Sequence, residues 1–246
     1  MVTDNNASML IAPSNRTLSD YVADRLREAI LTGHLKPGQR IVEHEIAEAM
    51  QVSRGPVRDA LRELESERLV ARHPHKGTFV AWLNLRDAEE IYSLREALEG
   101  LAVAYAIKYA TDEQLAELDE IVSTMVARRG GNYTQQEATD IDLEFHDTLC
   151  RISGHSRVLM AWRAVRAQVR LLILSHRTLQ PADFRERAVD WHQQLATALR
   201  QRDVDLARAV LHTHLTQSFQ SVAEAFKRAS AGAAASQDEH NNTPLL

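Results

Sequence analysis

Apolar residues recur along this chain at helical spacing almost throughout, and the exceptions fall in one short stretch. From Thr17, whose hydroxyl and the carboxylate of Asp20 fit a helix-start pattern, Leu18, Val22, Leu26 and Ile30 repeat every fourth residue until Gly33. Pro37-Gly38 marks a turn, and Ile46, Ala47 and Met50 give a short second helix over 43–50 its apolar side. Ser53 is placed to cap a third helix, Pro56 sits in its first turn where a missing N–H costs little, and Val57, Ala60, Leu61 and Leu64 form the stripe to be buried. The period then changes. Leu69–Arg72 and Thr78–Ala81 read as two strands around the basic turn His73-Pro74-His75-Lys76-Gly77. Residues 83–86 read as a hinge, and beyond it the pattern is helical again, over about 87–109, 112–129, 134–153, 156–178, 182–201 and 203–229. Gly130-Gly131, Ser153-Gly154 and Pro181 punctuate those six helices.

The fold expected is mainly α: a winged helix-turn-helix over 16–83, then an all-α bundle over 84–230, between disordered tails at 1–15 and 231–246. The first tail lacks the basic segment and long apolar run of a signal peptide, and no apolar run approaches the length of a membrane span. A single cysteine, Cys150, rules out an intrachain disulfide and agrees with a reducing cytoplasm. The net charge of −5 argues against a nonspecific nucleic-acid coat, but it is unevenly spread. Residues 16–83 hold 11 Lys+Arg against 10 Asp+Glu, and 84–246 hold 18 against 23. Four histidines in the first segment (34, 44, 73, 75) would add positive charge near a polyanion. Charge permits DNA binding there without demonstrating it.

With its apolar stripe inward, the third helix turns Arg54, Arg58 and Arg62 outward in a row. Such a row is by itself an ordinary solvated face. Following a short helix and a turn, and preceding a basic hairpin, it suits the major groove, where Arg bonds guanine bidentately. Arg54 and Arg58 are placed to read bases and Arg62 to meet a phosphate or an intramolecular partner. Ser53 with the free N–H groups of the helix start can hold a phosphate, and Lys76 can reach the backbone or minor groove. The elements "G.L.PG..", "VSR.PVR.AL..L" and "G.FV" within residues 16–83 resemble the winged helix of the GntR family of bacterial transcription regulators. That resemblance implies DNA contact at His44, Ser53, Arg54, Gly55, Arg58, Lys76 and Gly77. Many relatives carry a hydroxyl residue where Gly55 stands and an arginine where His44 stands.

In the bundle, Asp142 and His146 lie one turn apart on the edge of the arc Ile141, Phe145, Leu149 and Ile152. His192 lies on the stripe of Ala188, Trp191, Leu195 and Leu199, and His214 on that of Leu206, Val210, Leu211, Leu215 and Val222, whereas His212 points away. One carboxylate and three imidazoles thus face a shared interior. A hydrogen-bonded core cluster, an acid/base couple and a divalent metal site all fit that set. The segments "IYSLREALEGLAVAYA", "DLEFH", "WHQQLATAL" and "ARAVLHTHL" resemble the FCD-type effector domain of the FadR branch of GntR regulators, and six helices place it nearer the VanR-like subgroup. The resemblance implies a metal on Asp142, His146, His192 and His214, with zinc first and manganese or nickel as alternatives. That metal would hold a small organic acid, with Arg95 and, more weakly, Arg170 as effector-binding residues. Arg95 has a rival role in a salt bridge to Glu99. It further implies a cytoplasmic homodimer, most often a repressor, on an inverted-repeat operator in double-stranded DNA. A metal-dependent hydrolase or lyase, and a constitutive DNA-binding protein with a structural metal, are the competing functions.

Overall fold

A computed structural model describes residues 16–131, 134–175 and 184–241. The segment 1–15 and the stretch around Pro181 and His176 lie outside them, as do the expectations that fell there. The head is built from α1 (Leu18–Leu31), β1 (Arg40–Ile41), α2 (Glu43–Ala49), α3 (Arg54–Ser66), β2 (Val70–His73) and β3 (Gly77–Val80). Thr17 and Asp20 close a full capping box on α1, as the sequence pattern requires, and Gly33 takes a φ of 80° just past the helix end. Val57, Ala60, Leu61 and Leu64 are completely buried where α3 packs on α1, although Leu18, at the other end of the α1 pattern, stays half exposed. The hairpin pairs Val70 with Val80 and His73 with Gly77. A third strand, β1, escapes sequence reading because it is only two residues long; it pairs Arg40 with Phe79 and Ile41 with Thr78, making the sheet order β1-β3-β2.

The bundle consists of α4 (Leu85–Tyr109), α5 (Asp112–Ala127), α6 (Gln135–Ile152), α7 (Ser156–Ser175), α8 (Phe184–Arg200) and α9 (Val204–Asn241), six helices among the described residues. Of the expected hinge at 83–86, Leu85 and Arg86 already belong to α4; Leu83 is buried, and Asn84 with Asp87 closes a capping box on that helix. At the other end α9 continues to Asn241, past the point where a small polar tail suggested disorder from 231, through a run of strong helix formers that includes Ala233, Ala234 and Ala235. Helix α4 is central and packs on α6, α7, α8 and α9. It is therefore buried on several sides, which leaves it no simple polar face and encloses Arg95 and Glu99. Leu206, placed inward by the α9 pattern, is instead 43% exposed at the start of that helix. Head and bundle meet where α1 packs on α7.

Candidate DNA interface and metal centre

On the head, α2, α3 and the β2–β3 turn carry the groups expected to meet DNA. Arg54 is exposed in the first turn of α3 and forms no ion pair among the described residues. Arg58, one turn on, is half exposed, with its Nε donating to Glu43 Oε2 at 2.8 Å from α2. That contact raises the Arg58 pKa and links α3 to α2. Arg62 bonds Asp59 at 2.7 Å, the intramolecular alternative foreseen for it. Ser53 stands at the N-cap of α3 but makes no side-chain cap bond, in contrast to Thr17, Asn84, Thr111 and Thr134, which all close capping boxes. The Ser53 hydroxyl and the first amides of α3 are thereby left to an outside acceptor. A Cβ on Gly55 would meet only Ser53 Oγ, at 3.9 Å, so nothing in the fold requires glycine there. Gly77 differs. Its φ is 104°, and a Cβ would come within 3.3 Å of the Arg40 Nε, so the wing turn needs a residue without a side chain. Lys76 is exposed at the same turn, and His44 is exposed at the start of α2, 3.9 Å from Glu48. Arg40, absent from the sequence-based candidates, owes its place beside the wing to the unforeseen strand β1.

In the bundle, α6, α8 and α9 bring Asp142, His146, His192 and His214 together, with one donor atom from each lying within 4.8 Å of all the others. The three imidazoles are buried, and the Asp142 carboxylate is about one quarter exposed. His146 Nε2 lies 3.2 Å from His214 Nε2 and 3.3 Å from His192 Nε2; Asp142 Oδ1 is 3.4 Å from His192 Nε2 and 4.0 Å from His146 Nε2. Contacts around the cluster orient two of the rings. His192 Nδ1 is 2.6 Å from the Ala188 carbonyl, which can only accept, so Nδ1 donates and Nε2 keeps its lone pair. His146 Nδ1 is 2.6 Å from Glu99 Oε2. Burial pushes the Glu99 carboxyl upward, but Arg95 and then His146 outweigh it and hold its pKa at about 2, so this oxygen also only accepts. The Nε2 atoms of His146 and His192 face each other at 3.3 Å beside a carboxylate, an arrangement into which a cation fits. Burial lowers the His192 pKa to about 4 against the opposing pull of Asp142, and burial with its neighbouring imidazoles lowers that of His214 well below 6.5. Three imidazoles with one carboxylate form a donor set that suits zinc, manganese or nickel.

Arg95 lies beside this set on α4. Its Nε donates to Glu99 Oε1 at 2.8 Å, and its guanidinium lies over the rings of Tyr92 and Trp162 at 5.3 and 5.5 Å. The salt bridge foreseen as the rival role is real, yet it uses only part of the side chain: Nη2 is buried without a hydrogen-bond partner. Glu99, which joins Arg95 to His146, was legible only as the Arg95 partner, because its link to α6 crosses between helices. Arg170 is placed otherwise than expected. Its Nε donates to the Leu31 carbonyl at 2.9 Å and its Nη1 to the Asp140 carboxylate, contacts that tie the bundle to the head. His212 is exposed and paired with Glu96 at 2.6 Å, in keeping with its outward position. Cys150 is buried and unbridged, and burial raises its thiol pKa.

Comparison with known proteins places both halves. The family model for "Bacterial regulatory proteins, gntR family" matches residues 18–80, and that for "FCD domain" matches residues 90–217. An uncharacterised HTH-type transcriptional regulator in an unstable DNA locus of Streptomyces ambofaciens is 35% identical over 212 residues, 80% of this chain and 82% of that one. The gluconate operon transcriptional repressor of Bacillus licheniformis is 29% identical over 197 residues, 78% of this chain and 79% of its own. Among solved structures, McbR/YncC of E. coli shares the fold with a TM-score of 0.71 over 85% of this chain and 99% of that chain, at 24% identity.

Proposed function

The chain belongs to the gntR family of bacterial regulatory proteins, with an FCD domain behind its DNA-binding head, and is a transcriptional regulator of that type; from this premise we propose that it senses a small carboxylate at a divalent metal. The observation that carries the reading is the convergence of ligand atoms from Asp142, His146, His192 and His214 within 4.8 Å of one another, next to a buried arginine with an unused donor. Asp142, His146, His192 and His214 would hold the metal, with Glu99 and the Ala188 carbonyl orienting two of the rings. Bound there, the metal supplies a Lewis-acid centre for a carboxylate oxygen. Arg95 Nη2 would be free to donate to such a carboxylate, and Tyr92 and Trp162 hold the guanidinium in place.

In this reading the regulator works as a cytoplasmic homodimer whose two heads read an inverted repeat. The α3 arginines Arg54 and Arg58 meet bases, while Ser53, Gly55, His44 and the wing residues Lys76 and Gly77 meet the backbone. No helix among the described residues is long and apolar enough to cross a membrane. Repression is the favoured sign of control, in keeping with the gluconate repressor among its relatives. Acid binding shifts the heads relative to each other, and by linkage the operator changes affinity for the acid by the same factor. An enzymatic role finds less support, since Glu99, the carboxylate that touches His146, is engaged by Arg95, and no separate general base stands at the cluster among the described residues. Titrating mono- and dicarboxylic acids against a labelled operator fragment tests the proposal. It predicts a change in operator affinity that chelation abolishes. Turnover of an acid with unchanged DNA binding would establish the enzyme instead, and indifference to every acid would leave a structural metal.

A further inference from the structure

We infer that Arg170 is a positioning residue through which occupancy of the metal centre reaches the DNA-binding head, an inference that rests on the metal reading of the cluster above. Arg170 sits on α7 with its side chain only 11% exposed and touches both sides of the domain boundary. On the bundle side its Nη1 donates to Asp140, two residues before the cluster carboxylate Asp142 on the same helix, α6. Two residues turn a helix through about 200°, so Asp142 faces the cluster while Asp140 faces away from it toward α7. On the head side Nε donates to the carbonyl of Leu31, the last residue of α1. That carbonyl is one of the acceptors a helix end leaves open, and a cation there meets the negative end of the helix dipole.

The path continues to DNA. Arg27 on α1 donates to Glu63 at 2.7 Å and to Glu67 at 2.8 and 2.6 Å, fastening α1 to the far end of the recognition helix α3. Asp142 and His146 both stand on α6, so a metal held by the cluster would draw on that helix; Asp140 moves with it, and Arg170 carries the displacement to the end of α1 and so to α3. Lysine is a poor substitute, because the two acceptors are met by separate guanidinium nitrogens, Nε and Nη1, held at fixed positions, whereas an ammonium is a single nitrogen.

Hydrogen exchange on the full chain, stripped of metal and then given zinc alone, tests the inference. In the wild type, zinc should slow exchange in α6 and also at the end of α1, where the amides of Thr32, Gly33 and Leu35 close the last turn. In Arg170→Gln, and in Asp140→Asn at a half-exposed carboxylate, the α6 response should persist and the α1 response should be lost; Arg170→Lys should not restore it. An undiminished α1 response in both variants overturns the inference, as does an α1 that stays indifferent in a wild type whose α6 responds. If metal analysis finds no zinc on the wild type and α6 is unaffected, the metal reading fails, and the relay with it.

Discussion

Replacing Glu99 with Gln should destabilise the metal-free protein by about 3 to 5 kcal/mol, the usual cost of removing one partner from a buried ion pair. Glu99 is wholly buried, and Arg95 beside it is 2% exposed, so loss of the carboxylate strands a guanidinium with no solvent to compensate it. The position of the Glu99 pKa gives a second handle on the magnitude. It falls from 4.5 to about 2 because Arg95 and His146 together outweigh burial, a displacement worth about 3 kcal/mol. The folded pKa lies below the unfolded one, so this stabilisation is present in full above pH 4.5 and is lost as the pH falls toward 2. For a chain of this size the substitution should lower Tm by about 6 to 20 °C. The assay is thermal and urea unfolding in chelator at pH 7 and at steps down to pH 3, on wild type, Glu99→Gln, Arg95→Met and the double variant. With Arg95 already apolar, the Glu99 substitution should cost little, because the stranded charge is gone. A loss below about 1 kcal/mol, the worth of an ordinary hydrogen bond, or an equal loss in both backgrounds, would refute the reasoning.

Three further outcomes follow from the same geometry. Arg58→Ala should weaken specific operator binding by about 1 to 3 kcal/mol and relax sequence preference, read by competition binding; unchanged affinity across salt concentrations would remove Arg58 from the interface. The metal-free protein should lose stability as the pH falls from 6.5 to about 4, because burial keeps His192 neutral in the fold while the unfolded chain takes up the proton; a flat stability profile in that window would contradict the placement of the ring. Arg95→Met should keep metal and DNA binding but lose the response of DNA binding to the acid, and a full response in that variant would exclude the arginine from effector recognition.

The helices were legible because periodicity and caps agree: Thr17-Asp20, Asn84-Asp87 and Thr134-Glu137 all pair within four residues, and such local chemistry survives in the sequence. The four cluster residues were legible for a related reason, since each lies on or beside an apolar stripe that had to face inward. What escaped depends on tertiary placement. Strand β1 exists only because Arg40 and Ile41 find β3, and two residues carry no period. The link from Glu99 to His146 joins helices 47 positions apart along the chain, and nothing local at either residue announces it. Arg170 resembled a pocket arginine on a helix rich in them, until the approach of α1 supplied the Leu31 carbonyl as its partner. Leu206 fitted its stripe in phase, but the bundle does not cover the start of α9.

The regulatory role proposed for the bundle depends on Asp142, His146, His192 and His214 holding a metal. Elemental analysis of the purified full-length chain tests it most directly, compared with the His192→Ala, His214→Ala double variant under the same metal exposure. One divalent ion per wild-type chain is expected, and its loss from the double variant, with the variant still folded by circular dichroism and still able to bind DNA. A wild type that retains no metal, or a folded double variant that retains all of it, would contradict the account.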